Sequence, residues 1–146
     1  MKEHGRPFII SRSNSVGTGK YAGHWTGDNS ATWAFMRLSI SGNFLFQIFG
    51  IQMVGADICG FNSDTTVELC SRWTQLGSLY PFARNHNQDI AKDQEPYVLG
   101  ESVLKTAQIS IKQRYSLLKQ LYSILVDLNG RGTFFRPVYF EFFDDL

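Results

Sequence analysis

No part of this 146-residue chain reads as a bilayer span, because its most apolar window, Phe44 to Phe61, is broken by Gln47, Gln52, Asp57 and three glycines. Charge of one sign is also lacking. The 14 basic and 13 acidic residues are scattered to a net +1, which excludes the basic footprint of a nucleic-acid binder and a polybasic membrane anchor. Cysteine is scarce: Cys59 and Cys70 have no neighbouring cluster of His or Cys at ligand spacing, so no metal site is read. Cysteine content alone leaves the redox compartment open. The start, Met1 to Pro7, carries charges without an apolar segment behind them, so no targeting signal is read there. Internal repeats and low-complexity stretches are absent as well.

What remains is the composition of an ordinary globular domain, 43 % apolar and rich in aromatics, with 12 Phe, 6 Tyr and 3 Trp. Pro7-Phe8-Ile9-Ile10-Ser11 and Ile51-Gln52-Met53-Val54-Gly55-Ala56 read as short buried strands bounded by turn residues. Trp33 to Phe49 has apolar residues at mixed spacing and predicts one or two helical turns around Ser41-Gly42. Thr65 or Thr66 is placed to cap a helix running through Leu69, Trp73, Leu76 and Leu79. Ser102 to Asn129 has the clearest helical period, closed by Asn129-Gly130, and its Tyr115 and Tyr122 read as packing residues. Val138 to Phe142 alternates like a final strand.

Strands alternating with helices argue for an α/β fold around a parallel sheet. The polar residues Arg12, Asp28, Asp57 and His86 each follow a strand or strand-like run. In a (β/α) barrel the site is built at those carboxyl ends, and a whole barrel takes about 250 residues. The expected architecture is therefore a partial barrel.

The stretch His24-Trp25-Thr26-Gly27-Asp28-Asn29 sets one acid beside a flat apolar ring. That pairing suits a sugar, whose C–H face packs on the ring while its hydroxyls meet the acid. Asp28, Asn29 and Ser30 are equally preferred helix N-caps, so on the hexapeptide alone a capping role stands beside the chemical one. Gly17-Thr18-Gly19-Lys20 superficially suggests a phosphate loop, but Asn14 replaces its first glycine and Tyr21 its Ser or Thr.

Six segments together resemble glycoside hydrolase family 31. They are Arg6 to Ser13, Tyr21 to Asn29, Gly55 to Phe61, Glu68 to Trp73, Tyr80 to Asn87 and Gln94 to Tyr97. The resemblance covers essentially the whole chain and implies the last four β/α units of a catalytic (β/α)8 barrel. Residues 1–133 would form that half, and 134–146 would be a strand leading toward a following β-sandwich. It implies a retaining α-glucosidase-type hydrolase, acting as part of a longer chain on terminal α-linked glucose of an α-glucoside or oligosaccharide, without metal or organic cofactor.

The resemblance places the general acid/base at Asp28 and sugar-binding residues at Arg12, Trp25, Asp57, Phe61 and His86. A structural ion pair between Arg12 and Asp57 is the plain alternative for that arginine. Cys59 and Cys70 resemble a disulfide pair of the secreted and lysosomal branch, which implies that location. The family's nucleophile motif, Trp-x-Asp-Met-Asn-Glu, has no counterpart here, so the missing N-terminal half of the barrel is expected to supply it. A truncated non-catalytic product, or a related activity such as α-xylosidase, is the competing expectation. The chain also departs from the family pattern at Ala34-Phe35, Ser41, Leu45 and Gln52, positions expected to lie away from the pocket.

Overall fold

The computed structural model describes residues 7–145, so Arg6 and the charged start lie outside the described residues. Of the first apolar run only Ile10–Ser11 forms a strand, β1. Its one partner among the described residues is β2, Gly23–Trp25, and the ladder reaches no further than Ile10 opposite Gly23 and Ser11 opposite His24. Phe8 and Ile9, beyond that reach, are exposed.

β2 also pairs in parallel with β3, Val54–Gly55. After Ala56 the chain continues as β4, Asp57–Ile58, which pairs in parallel with β5, Arg84–Asn85. Asp57 is thus inside a strand and not just beyond one. All three ladders run parallel, so Arg12, Asp28 and His86 follow the ends of β1, β2 and β5, while Asp57 opens β4.

The segment after β2 corrects the sequence reading twice. Asp28, Asn29 and Ser30 cap nothing: Thr32 is the N-cap, its hydroxyl accepting from the Phe35 amide at 3.3 Å. The helix it starts, α1, is continuous over the 16 residues Trp33–Ile48. Its inward stripe explains the confusing spacing, because Ser39, Asn43 and Gln47 are the buried residues while Leu38, Leu45 and Ile48 face out. That polar stripe is held by hydrogen bonds. Ser39 pairs with the Tyr80 hydroxyl, Asn43 donates to the Ser39 carbonyl at 2.8 Å, and Gln47 donates to the Gln52 carbonyl at 2.7 Å.

Thr66 caps α2, Val67–Gly77, whose hydroxyl accepts from Leu69 at 3.2 Å. The core gathers where this helix meets β4: Ala56, Ile58, Leu69, Trp73, Tyr80 and Val103 pack around the Cys59–Cys70 disulfide. Trp73 is fully buried and satisfies its indole N–H on the Tyr80 hydroxyl at 3.1 Å.

α3, Glu101–Leu128, ends at Asn129 in the left-handed conformation that the Asn-Gly pair predicts. Only its first half is covered, through Val103, Ala107 and Ser110. Arg114 then donates to the carbonyls of Ser78, Tyr80 and Pro81, tying α3 to the end of α2. Beyond it no side chain of α3 is fully buried. Tyr115 and Tyr122, expected to pack, are 69 % and 70 % exposed.

The alternating run at the C-terminus is a 3-10 turn, Val138–Phe140, and not the expected strand. Alternation specifies a strand only when another strand lies alongside to pair with it, and this run pairs with none among the described residues. Just before that turn, Gln52 donates to the carbonyls of Arg131 and Gly132, and Gln47 accepts from the amides of Phe134 and Phe135.

Candidate active site

Arg12 leaves β1 directly, and Asp28 follows β2 after a turn at Gly27. The turn works only with glycine: its φ is +80°, and a Cβ there would sit 2.7 Å from Arg12 Nε. The bare backbone lets the guanidinium close on the acid, and Arg12 Nη1 lies 3.2 Å from Asp28 Oδ2. Both side chains remain about half exposed, so this pair is positioned without being sealed. The alternative for Arg12, an ion pair with Asp57, does not form, because each residue has another partner.

Asp57 is paired with Arg84, and only 1 % of its side chain is exposed. Burial pushes its carboxyl above the ordinary range. The hydrogen bond and charge of Arg84 oppose that, as does His86 more weakly, while the charge of Asp28 adds to the rise. One oxygen, Oδ2, is buried without a hydrogen-bond partner, and so is Arg84 Nε. The guanidinium lies 5.4 Å above the ring of Trp25 and 5.3 Å above that of Phe82. The flat wall that Trp25 was expected to offer a sugar is therefore partly covered by Arg84.

Phe61 and His86 approach each other, with ring centroids 5.2 Å apart. The turn that carries Phe61 depends on Gly60, whose φ is +92° and whose Cβ would meet Ala31 Cα at 2.4 Å. Asn29 joins these pieces. Its Nδ2 donates to the Asp57 carbonyl at 3.0 Å and its Oδ1 accepts from the Phe61 amide at 2.9 Å. On the far side, Gln94 donates to the carbonyls of Ile58 and Gly60 and to Asn85 Oδ1, fixing the strand end before His86.

Two recesses flank this assembly. One, of about 270 Å³, is lined by Arg12, Asp28, Asn29, Phe35 and Leu38 among others. The other, of about 500 Å³, is lined by Phe61, His86 and the loop from Asn87 to Asp93. They share no lining residue, and Asp57 lines neither. Phe35, expected to be remote from the pocket, stands in the wall beside the acid. No group of three or more His, Cys, Asp or Glu side chains among the described residues could hold a metal ion.

Arg84 and Asn29 are the positions that reading the sequence missed. Arg84 had a usable signal, since it opens the Arg84-Asn85-His86-Asn87 stretch whose histidine was read as a site residue. Asn29 had none beyond its place next to Asp28.

Residues 1–124 match the model of the glycosyl hydrolases family 31 TIM-barrel domain. The chain belongs to glycoside hydrolase family 31. It is 52 % identical over 141 residues to the lysosomal acid α-glucosidase of Tetrahymena pyriformis, covering 95 % of this chain and 15 % of that protein. The lysosomal α-glucosidase of Mus musculus is 47 % identical over 141 residues, again covering 96 % of this chain and 15 % of its own length. Among solved structures, the family 31 α-glucosidase of Bacteroides thetaiotaomicron superposes with a TM-score of 0.91 at 36 % identity, over 97 % of this chain and 24 % of that one. The chain spans only 8–16 % of the length of the curated relatives it matches.

Proposed function

We propose that this family 31 chain carries the general acid/base of a retaining α-glucosidase, and that the residue is Asp28. The observation that supports it best is the Arg12–Asp28 pair, held open to solvent at the end of β2 with Asp57, Arg84 and His86 on the neighbouring strand ends. Asp28 would protonate the glycosidic oxygen as the bond to the anomeric carbon breaks. It would then take a proton from the water that cleaves the glycosyl-enzyme ester.

That scheme needs a second carboxylate about 5–5.5 Å away as nucleophile. No family nucleophile motif occurs in these 146 residues, so it would come from another part of a longer chain. The unpaired outer edges of β1 and β5 among the described residues support a continuing barrel, with residues 1–133 as its C-terminal half and 134–146 leading onward. Arg12, Asp57 and His86 would bind hydroxyls of the terminal glucose, with Trp25 and Phe61 as its apolar walls. The Cys59–Cys70 disulfide favours a lysosomal or secreted enzyme.

The test is maltose hydrolysis by the full-length protein, followed by proton NMR of the freshly released glucose. The α anomer appearing first supports the reading. Release of the β anomer first, or no hydrolysis, overturns it.

A further inference from the structure

We propose that Arg84 is a positioning residue for sugar binding, holding the Asp57 carboxylate and the Trp25 ring in one fixed arrangement behind the site. The inference rests on the glycosidase reading and adds to it a residue for which that reading gives no role.

Three observations carry it. Asp57 and Arg84 are directly opposite each other in the β4–β5 ladder, so their pairing is set by backbone register and not by loose side-chain contact. Arg84 satisfies Oδ1 of Asp57 and leaves Oδ2 buried with no partner, an uncompensated acceptor in a sealed place. The same planar guanidinium covers Trp25 and Phe82 at 5.4 and 5.3 Å, so a single group fixes an acid and an aromatic wall together.

Charged groups around Asp57 come from each neighbouring strand end: Arg84 and His86 from β5, and Asp28, itself paired with Arg12, from the loop after β2. Removing Arg84 takes away the largest stabiliser of the ionised acid and leaves burial and Asp28 opposing it. Arginine is needed for geometry as well as charge, since lysine restores a cation but not a planar fork that stacks.

The experiment compares Arg84→Gln and Arg84→Lys with wild type in the full-length enzyme, measuring kcat and KM for a nitrophenyl α-glucoside across pH, with thermal midpoints alongside. Arg84→Gln is expected to raise KM about tenfold or more and to move the acid limb of kcat/KM upward by about one pH unit. Arg84→Lys should return the limb toward wild type while KM stays high. An unchanged limb and KM in Arg84→Gln overturn the proposal, as does a uniform fall in kcat/KM with no change in its pH profile. If Arg84→Gln does not fold, Arg84→Lys decides: a wild-type dissociation constant for glucose in calorimetry overturns it, and a weakened one supports it. Wild-type enzyme without glucosidase activity overturns the underlying reading too, whereas active wild type with silent Arg84 variants overturns the positioning role alone.

Discussion

The side chain of Asn29 holds the backbone of Asp57, its Nδ2 donating to the Asp57 carbonyl at 3.0 Å from a position 5 % exposed. The loop that ends in the candidate acid is thereby fastened to the strand that carries the buried carboxylate. The same amide accepts from Phe61, so one residue sets the spacing of three others.

Asn29→Ala should therefore loosen the site more than its size suggests. The Phe61 amide keeps a second acceptor, the Asn29 carbonyl at 2.9 Å, and the Asp57 carbonyl keeps a second donor, the Gly60 amide at 3.2 Å, but the two side-chain bonds that tie the segments together are lost. Losing hydrogen bonds whose partners stay satisfied costs about 0.5–1.5 kcal/mol each. Chemical denaturation of the variant should show a loss in that range, and Asn29→Asp should not recover it because a carboxylate cannot donate. A variant as stable as wild type would mean that the Asn29–Asp57 bond is not a constraint.

Asp28→Asn separates chemistry from stability. The Arg12–Asp28 pair is half exposed, and such pairs contribute only about 0–1 kcal/mol. Loss of a general acid/base slows turnover by about 100- to 10,000-fold. The full-length variant should melt near the wild-type temperature while kcat for maltose collapses. A nitrophenyl glucoside, which leaves without protonation, should be spared in its first step. A burst of nitrophenolate slowed as much as maltose turnover would argue against a proton-donor role.

The Cys59–Cys70 disulfide closes the turn that carries Phe61 and the cap of α2, between residues 11 apart in sequence with Cα atoms at 4.5 Å. A loop that short contributes about 2–3 kcal/mol. Replacing both cysteines by serine should lower stability by that amount and raise KM more than it lowers kcat, because Phe61 and not Asp28 is released. Two titratable thiols in denatured, non-reduced native protein would contradict the bridge outright.

The sequence was legible where local chemistry and tertiary packing agreed. Thr66, Asn129-Gly130 and the long period of α3 each specify their element without help, and the strand ends place Arg12, Asp28 and His86 from pattern alone. α1 was misread because its buried stripe of Ser39, Asn43 and Gln47 is polar, which inverts the signal that hydrophobic periodicity reads. Tyr115, Tyr122 and the run at Val138 were misread for the opposite reason. Their patterns anticipate partners, and partners are not encoded in the pattern itself. The Asp57–Arg84 pair was hidden by distance along the chain, 27 residues, since only strand register brings the two together.

His24 gives the fold a pH dependence whose sign follows from its surroundings. Its ring is buried against Phe46, with centroids 3.7 Å apart, and Nδ1 lies 3.0 Å from the Ser11 carbonyl. Burial lowers its pKa from the ordinary value of 6.5, and backbone hydrogen bonds to Ser11 and Arg12 offset this only in part. The fold therefore favours neutral imidazole. That contribution is fully present above pH 6.5, the unfolded value, and is lost as pH falls through the lower folded value. His24→Gln, which keeps a donor but takes up no proton, should narrow its deficit in melting temperature relative to wild type as pH drops from 7 toward 5. A deficit that stays constant or widens over that interval would show that His24 accepts its proton as readily in the fold as outside it. The segment it steadies carries Arg12, so the same titration should weaken sugar binding in parallel with stability, at fixed temperature and well below the melting point.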